Sequence, residues 1–151
     1  MDINKSSGLI LHPSSLPGEY GIGELGSTCY EFIDLLKTSN TRIWQVLPLG
    51  ITDEVEYSPY SSKSSILGNP YLISLNDLEN KIIDKNILNE LKKLSISEVE
   101  FKNVYSQKQK LFHSISKKID INDSVYSKFL EINDLTKKHI KIMVITRGSR
   151  F

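Results

Sequence analysis

An α/β fold that opens with parallel strands is predicted by three observations. Residues 8–12, GLILH, and residues 42–50, RIWQVLPLG, are continuous apolar runs; the stretch between them carries a helical apolar face; and from residue 84 onward the pattern is helical. Two apolar strands joined through a helix imply a parallel pair with a right-handed crossover, the start of an α/β sheet or barrel. A chain of 151 residues with 39% hydrophobic and 25% charged residues is long enough to bury one core and suits one domain.

The first strand is read over Gly8–His12, ended by Pro13, and its unbroken apolar character suits burial on both faces. Pro13 to Gly26 contains two Pro, four Gly and two Ser, with GIGELG at its end, and reads as a long structured loop. Thr28 and Glu31 have capping-box spacing, and Cys29, Phe32, Ile33 and Leu36 fall on one face of a helix from about Thr28 to Thr38. Ile43, Trp44, Val46 and Leu47 then form a second buried strand stopped by Pro48.

A polar, Ser-rich loop follows from Ile51 to Pro70, leading into YLISL at Tyr71–Leu75, which reads as a short extended segment. Beyond Asp84, Ile87, Leu88, Leu91 and Leu94 share a helical face. Ser97 and Glu100 are placed to cap a second helix, lined by Phe101, Val104, Tyr105, Leu111, Phe112, Ile115 and Ile119. The expected organisation is therefore a strand-helix-strand and loop region over 1–79, a helical insertion over 80–134, and a tail over 135–151. That tail is compositionally foreign, with five Lys or Arg and no acidic residue.

Charge and cysteine content exclude several classes. Nineteen basic against 18 acidic side chains leave a net charge of +1, without the basic excess of general nucleic-acid binders. Cys29 is the single cysteine, three His offer no metal-ligand cluster, and Met1–Ser7 has neither a secretory apolar region nor a membrane span. The expectation is a soluble protein of a reducing, cytoplasmic compartment, with no nucleic-acid or membrane partner.

Three segments carry a family resemblance: SSGLILHPSSLPGEYGIGELG at Ser6–Gly26, RIWQVLPLG at Arg42–Gly50, and SPYSSKSSILGNPYLISL at Ser58–Leu75. In order and spacing the chain resembles the amylomaltases, the 4-α-glucanotransferases or disproportionating enzymes of glycoside hydrolase family 77. A looser similarity continues through VEFKNVYSQK at Val99–Lys108. The resemblance implies a (β/α)8 barrel with helical insertions. It also implies retaining transfer of α-1,4-glucan segments between maltooligosaccharides or starch chains, without a metal or organic cofactor. Retention needs two carboxyl groups roughly 5–5.5 Å apart, one a nucleophile and one an acid/base. The family's nucleophile Asp, acid/base Glu and stabilising Asp belong to later strands, and no residue of this chain matches them.

A complete eight-stranded barrel takes about 250 residues. The expectation is thus an incomplete barrel whose chain is inactive alone, with a frame disruption near Asp134 or a truncated gene as the account of the tail. A non-catalytic glucan-binding fragment, or a half-barrel completed by a second polypeptide, are the alternatives.

The resemblance assigns Ser58 and Tyr60 to sugar subsites. A tyrosine ring offers an apolar face to glucose while its hydroxyl and a serine supply hydrogen bonds, although on the residues alone an ordinary polar loop is the simpler reading. Tyr105 aligns with an aromatic of a secondary glucan site, with Tyr57 as its displaced partner in ITDEVEY, a stretch one residue longer than the family's and without its glycines. Packing on a helix face is the equal alternative for Tyr105. His12 stands where an acid/base group would lie at a strand end, but reads as structural, and Asn69–Pro70 reads as a turn. Trp44 and Cys29 read as packing residues.

Overall fold

The computed structural model describes residues 6–62, 64, 67–78, 83, 85–94 and 97–117. The expected 135–151 tail and most of the second half of the helical region lie outside the described residues. Strand β1 (Gly8–Ile10) and strand β2 (Ile43–Gln45) pair in parallel, with Gly8 opposite Ile43, Leu9 opposite Trp44 and Ile10 opposite Gln45. Helix α1 (Ser27–Thr38) makes the crossover, as the strand-helix-strand order requires.

Both strands are shorter than their apolar runs, and their expected burial is corrected: Leu9 is 42%, Ile10 63% and Ile43 41% exposed. A continuous apolar run predicts covering layers on both faces, and the described residues supply only two strands. Trp44 is half-buried, its ring edge-on to Phe32 of α1 with centroids 5.0 Å apart, and its indole N–H donates to the Leu11 carbonyl at 2.8 Å.

Helix α1 begins one residue earlier than expected. Extended Gly26 takes the capping position, so Thr28 already lies inside the first turn and the Thr28–Glu31 capping box does not form. Cys29 is buried, as the helical spacing predicts, and burial raises its thiol pKa, which suits an inert packing residue. At the far end Asn40 adopts φ +55°, the left-handed conformation that Asn tolerates, and turns the chain toward β2.

The loop between β1 and α1 is folded inward. Tyr20 and Ile22 are almost fully buried, and a Cβ at Gly23 would stand 2.1 Å from the Pro13 carbonyl oxygen, so only glycine permits that backbone approach. Helices α2 (Lys85–Lys92) and α3 (Phe101–Ser116) pack against it. Tyr20 and Leu75 join Leu88, Leu91, Leu111 and Ile115 in one cluster; Ile22 and Tyr71 join Val104 and Tyr105 in a second. The helical region thus shares its core with the first loop. The YLISL segment is not extended: Pro70–Leu72 forms a 3-10 turn, because the Asn69 side chain accepts the Tyr71 N–H and Pro70 is set for its first position. Glu100 precedes α3 without capping its backbone, and its carboxylate accepts instead from the Asn103 side chain.

Candidate functional site

The described residues between 49 and 69 fold back on themselves as an irregular antiparallel ribbon. Asn69 N–H donates to the Leu49 carbonyl, Ile51 N–H to Leu67, and Asp53 N–H to Ser61, with bridges at Gly50–Gly68 and Thr52–Ser62. The tip holds Ser58, Pro59 and Tyr60. The Ser58 hydroxyl accepts the Tyr60 N–H at 3.3 Å and its carbonyl accepts the Ser61 N–H at 3.1 Å. This tight turn leaves Tyr60 73% exposed.

Inside the loop one oxygen, Asp53 Oδ1, accepts three successive amides: Val55 at 2.8 Å, Glu56 at 2.7 Å and Tyr57 at 3.2 Å. These bonds favour the ionised form, so the amides of Glu56 and Val55 foremost hold the Asp53 pKa below the usual carboxylate value. Tyr57 has φ +56° and lays its ring against Phe101, with centroids 5.7 Å apart, and edge-on to Tyr105 at 5.0 Å.

Tyr105 lies in the core. Its ring stacks on Tyr71 at 3.7 Å, and its hydroxyl accepts the Asn69 amide at 3.2 Å and meets the Thr52 hydroxyl at 3.0 Å. At 4% exposure it ties the base of the loop to α3. The structure therefore separates the four sequence-selected residues: Ser58 and Tyr60 stand at the loop tip, while Tyr57 and Tyr105 meet ring to ring at its foot. Asn69 holds a turn, as read from the sequence.

His12, two residues beyond β1, caps the 3-10 turn at Pro13–Ser15, its Nδ1 accepting the Ser14 N–H at 3.3 Å and lying 2.7 Å from the Ser14 hydroxyl. An Nδ1 that accepts leaves the proton on Nε2, which is sealed from solvent without a hydrogen bond of good geometry among the described residues. Burial lowers the His12 pKa against a smaller raising effect of the Pro48 backbone. A neutral imidazole that caps a turn is a structural group. Among the described residues no three His, Cys, Asp or Glu side chains gather as a metal site.

Sequence reasoning missed one pair. The Lys108 ammonium, fully buried on α3, binds the Glu24 carboxylate and the Tyr71 carbonyl at 2.7 Å, while the other Glu24 oxygen accepts the Leu75 N–H at 2.9 Å. Burial raises the Glu24 pKa and lowers that of Lys108, each opposed by its partner. The signal was present in the spacing, since Lys108 interrupts the buried row Val104, Leu111, Ile115 at i+4.

Residues 11–144 match the sequence model of Glyco_hydro_77, described as 4-alpha-glucanotransferase. The chain belongs to this family. It is 51% identical over 78 residues to the 4-alpha-glucanotransferase of Thermus thermophilus, covering 52% of this chain and 15% of that protein. To the 4-alpha-glucanotransferase of Aquifex aeolicus it is 37% identical over 136 residues, covering 88% of this chain and 26% of the relative. An amylomaltase from Streptococcus agalactiae, solved in complex with acarbose, superposes with a TM-score of 0.75 at 25% identity, over 96% of this chain and 30% of that one. The chain spans about a quarter or less of the curated 4-alpha-glucanotransferases compared.

Proposed function

We propose that this chain forms the opening strand-helix-strand part of a (β/α)8-barrel 4-α-glucanotransferase and presents its Ser58–Tyr60 loop to an α-1,4-glucan. The observation that carries the reading is exposed Tyr60 at the tip of a loop closed across its neck by the Asp53–Ser61, Ile51–Leu67 and Asn69–Leu49 backbone bonds, in a chain of this family. A fixed aromatic face suits the apolar face of a glucose ring, and the adjacent hydroxyls of Ser58 and Tyr60 suit its hydroxyls. Parallel β1 and β2 with exposed apolar residues are the form expected of strands meant to lie inside a larger sheet.

Transfer with retention requires a carboxylate nucleophile and a carboxylic acid/base. The resemblance assigns neither to a residue of this chain, so the 151-residue polypeptide contributes sugar contact rather than bond cleavage. The working compartment in this proposal is the cytoplasm, consistent with a buried, unpaired Cys29. Titration of the chain with maltoheptaose, compared with Tyr60→Ala, tests the reading.

A further inference from the structure

The loop that carries Tyr60 has no glycine between Gly50 and Gly68 and, among its described residues, one left-handed non-glycine residue, Tyr57. Something other than glycine freedom must therefore hold its path. Asp53 N–H donates to the Ser61 carbonyl, closing the loop across its neck, while Asp53 Oδ1 gathers the amides of Val55, Glu56 and Tyr57 from within. Four backbone groups on both arms of the loop thus converge on one residue.

We propose that Asp53 is the positioning residue of this glucan-contact loop, replacing with a side-chain anchor the conformational freedom that glycines would give, and so fixing where Tyr60 stands. The proposal rests on the reading of Ser58–Tyr60 as a sugar contact. Its logic is local. Three amides that point inward to one acceptor fix the turn at residues 53–57; that turn delivers Tyr57 into its left-handed conformation; and the Tyr57 ring then docks between Phe101 and Tyr105. From Tyr57 the chain has only Ser58 and Pro59 before Tyr60, so an anchored Tyr57 and a rigid proline leave Tyr60 little freedom. Glu54 and Glu56, although adjacent and acidic, are exposed, and neither is an acceptor in this set.

The test uses the full 151-residue chain with Asp53→Ala, Asp53→Asn and the control Glu54→Ala, reading amide hydrogen exchange at residues 55–57 and binding of maltoheptaose. Asparagine keeps the accepting oxygen without the charge. Asp53→Ala is expected to lose amide protection at 55–57 and to weaken maltoheptaose binding about tenfold, whereas Asp53→Asn stays within about threefold and Glu54→Ala is unchanged. Amides at 55–57 that are unprotected in the unaltered chain, or equally protected in Asp53→Ala, would overturn the positioning role. Failure of the unaltered chain to bind maltoheptaose would instead overturn the sugar-contact reading, and the exchange data would still decide whether Asp53 holds the loop. An Asp53→Asn variant as impaired as Asp53→Ala would show that charge, rather than hydrogen-bond acceptance, matters, and would also overturn the proposal.

Discussion

Lys108 and Glu24 are 84 residues apart in sequence and form a buried ion pair, joined to the backbone of Tyr71 and Leu75. One polar cluster thereby fastens the first loop, the turn after the Ser58–Tyr60 loop and α3 to one another. Buried pairs of this kind add little over an apolar replacement, but removing one partner strands a charge.

Lys108→Met should therefore destabilise the chain by about 3–5 kcal/mol at neutral pH. The deficit depends on pH with a definite sign. Lys108 lowers the Glu24 pKa, which burial has raised, so its loss raises that pKa further above the unfolded value. Stability of the variant then falls as pH rises from the ordinary glutamate range through the raised folded value. Thermal unfolding at pH 4 and pH 8 should show the larger deficit relative to the unaltered chain at pH 8, and Glu24→Gln combined with Lys108→Met should recover part of it. An equal deficit at both pH values would contradict the stranded carboxylate.

Tyr105→Ala should cost about 3–5 kcal/mol, as expected for a large buried aromatic, and Tyr105→Phe about 1–2 kcal/mol through the Thr52 and Asn69 groups it leaves unsatisfied. Tyr60→Ala, on an exposed ring, should change stability by less than about 0.5 kcal/mol. Chemical denaturation of the three variants separates the buried tyrosine from the exposed one. Equal destabilisation by Tyr60→Ala and Tyr105→Ala would contradict the assignment.

Much of this was legible in the sequence, for reasons that can be named. Apolar runs around a helical face gave β1, α1 and β2 in order, because short strands and an amphipathic helix differ in period. The row Val104, Leu111 and Ile115 was legible for the same reason. Burial of Leu9, Ile10 and Ile43 was not, since an apolar run records the layers a strand is built to meet and not those the described residues provide. Asp53 and the Lys108–Glu24 pair were also invisible as partners. The spacing marks Lys108 as a charge on a buried face but not its partner, because its bond spans 84 residues, and the Asp53 bonds are made by backbone amides, which leave no periodic trace. Tyr105 left two readings open because an aromatic at helical spacing serves packing and sugar stacking alike; in the structure it is 4% exposed.

The exposed strands carry their own expectation. Ile10 and Ile43 lie 63% and 41% exposed on a two-stranded parallel pair, an arrangement that invites association through faces and edges. Sedimentation of the chain should show self-association that Ile10→Lys with Ile43→Lys reduces. A monomer at high concentration in the unaltered chain would contradict this.

Incubated with maltotriose, the 151-residue chain should release neither glucose nor longer maltooligosaccharides, since the resemblance places none of the family's catalytic carboxylates among its residues. Sustained disproportionation by contaminant-free protein would show that this chain carries catalytic groups of its own.

The central claim is that Tyr60 meets an α-1,4-glucan, and the most direct measurement is an NMR titration of the chain with maltoheptaose. The account predicts saturable shifts centred on Ser58–Tyr60 and saturation transfer from the Tyr60 ring to glucose protons. It also predicts at least about tenfold weaker binding in Tyr60→Ala, the loss expected when ring contact and a hydrogen bond disappear together. Shifts centred elsewhere, no saturable response, or unchanged affinity in Tyr60→Ala would contradict it.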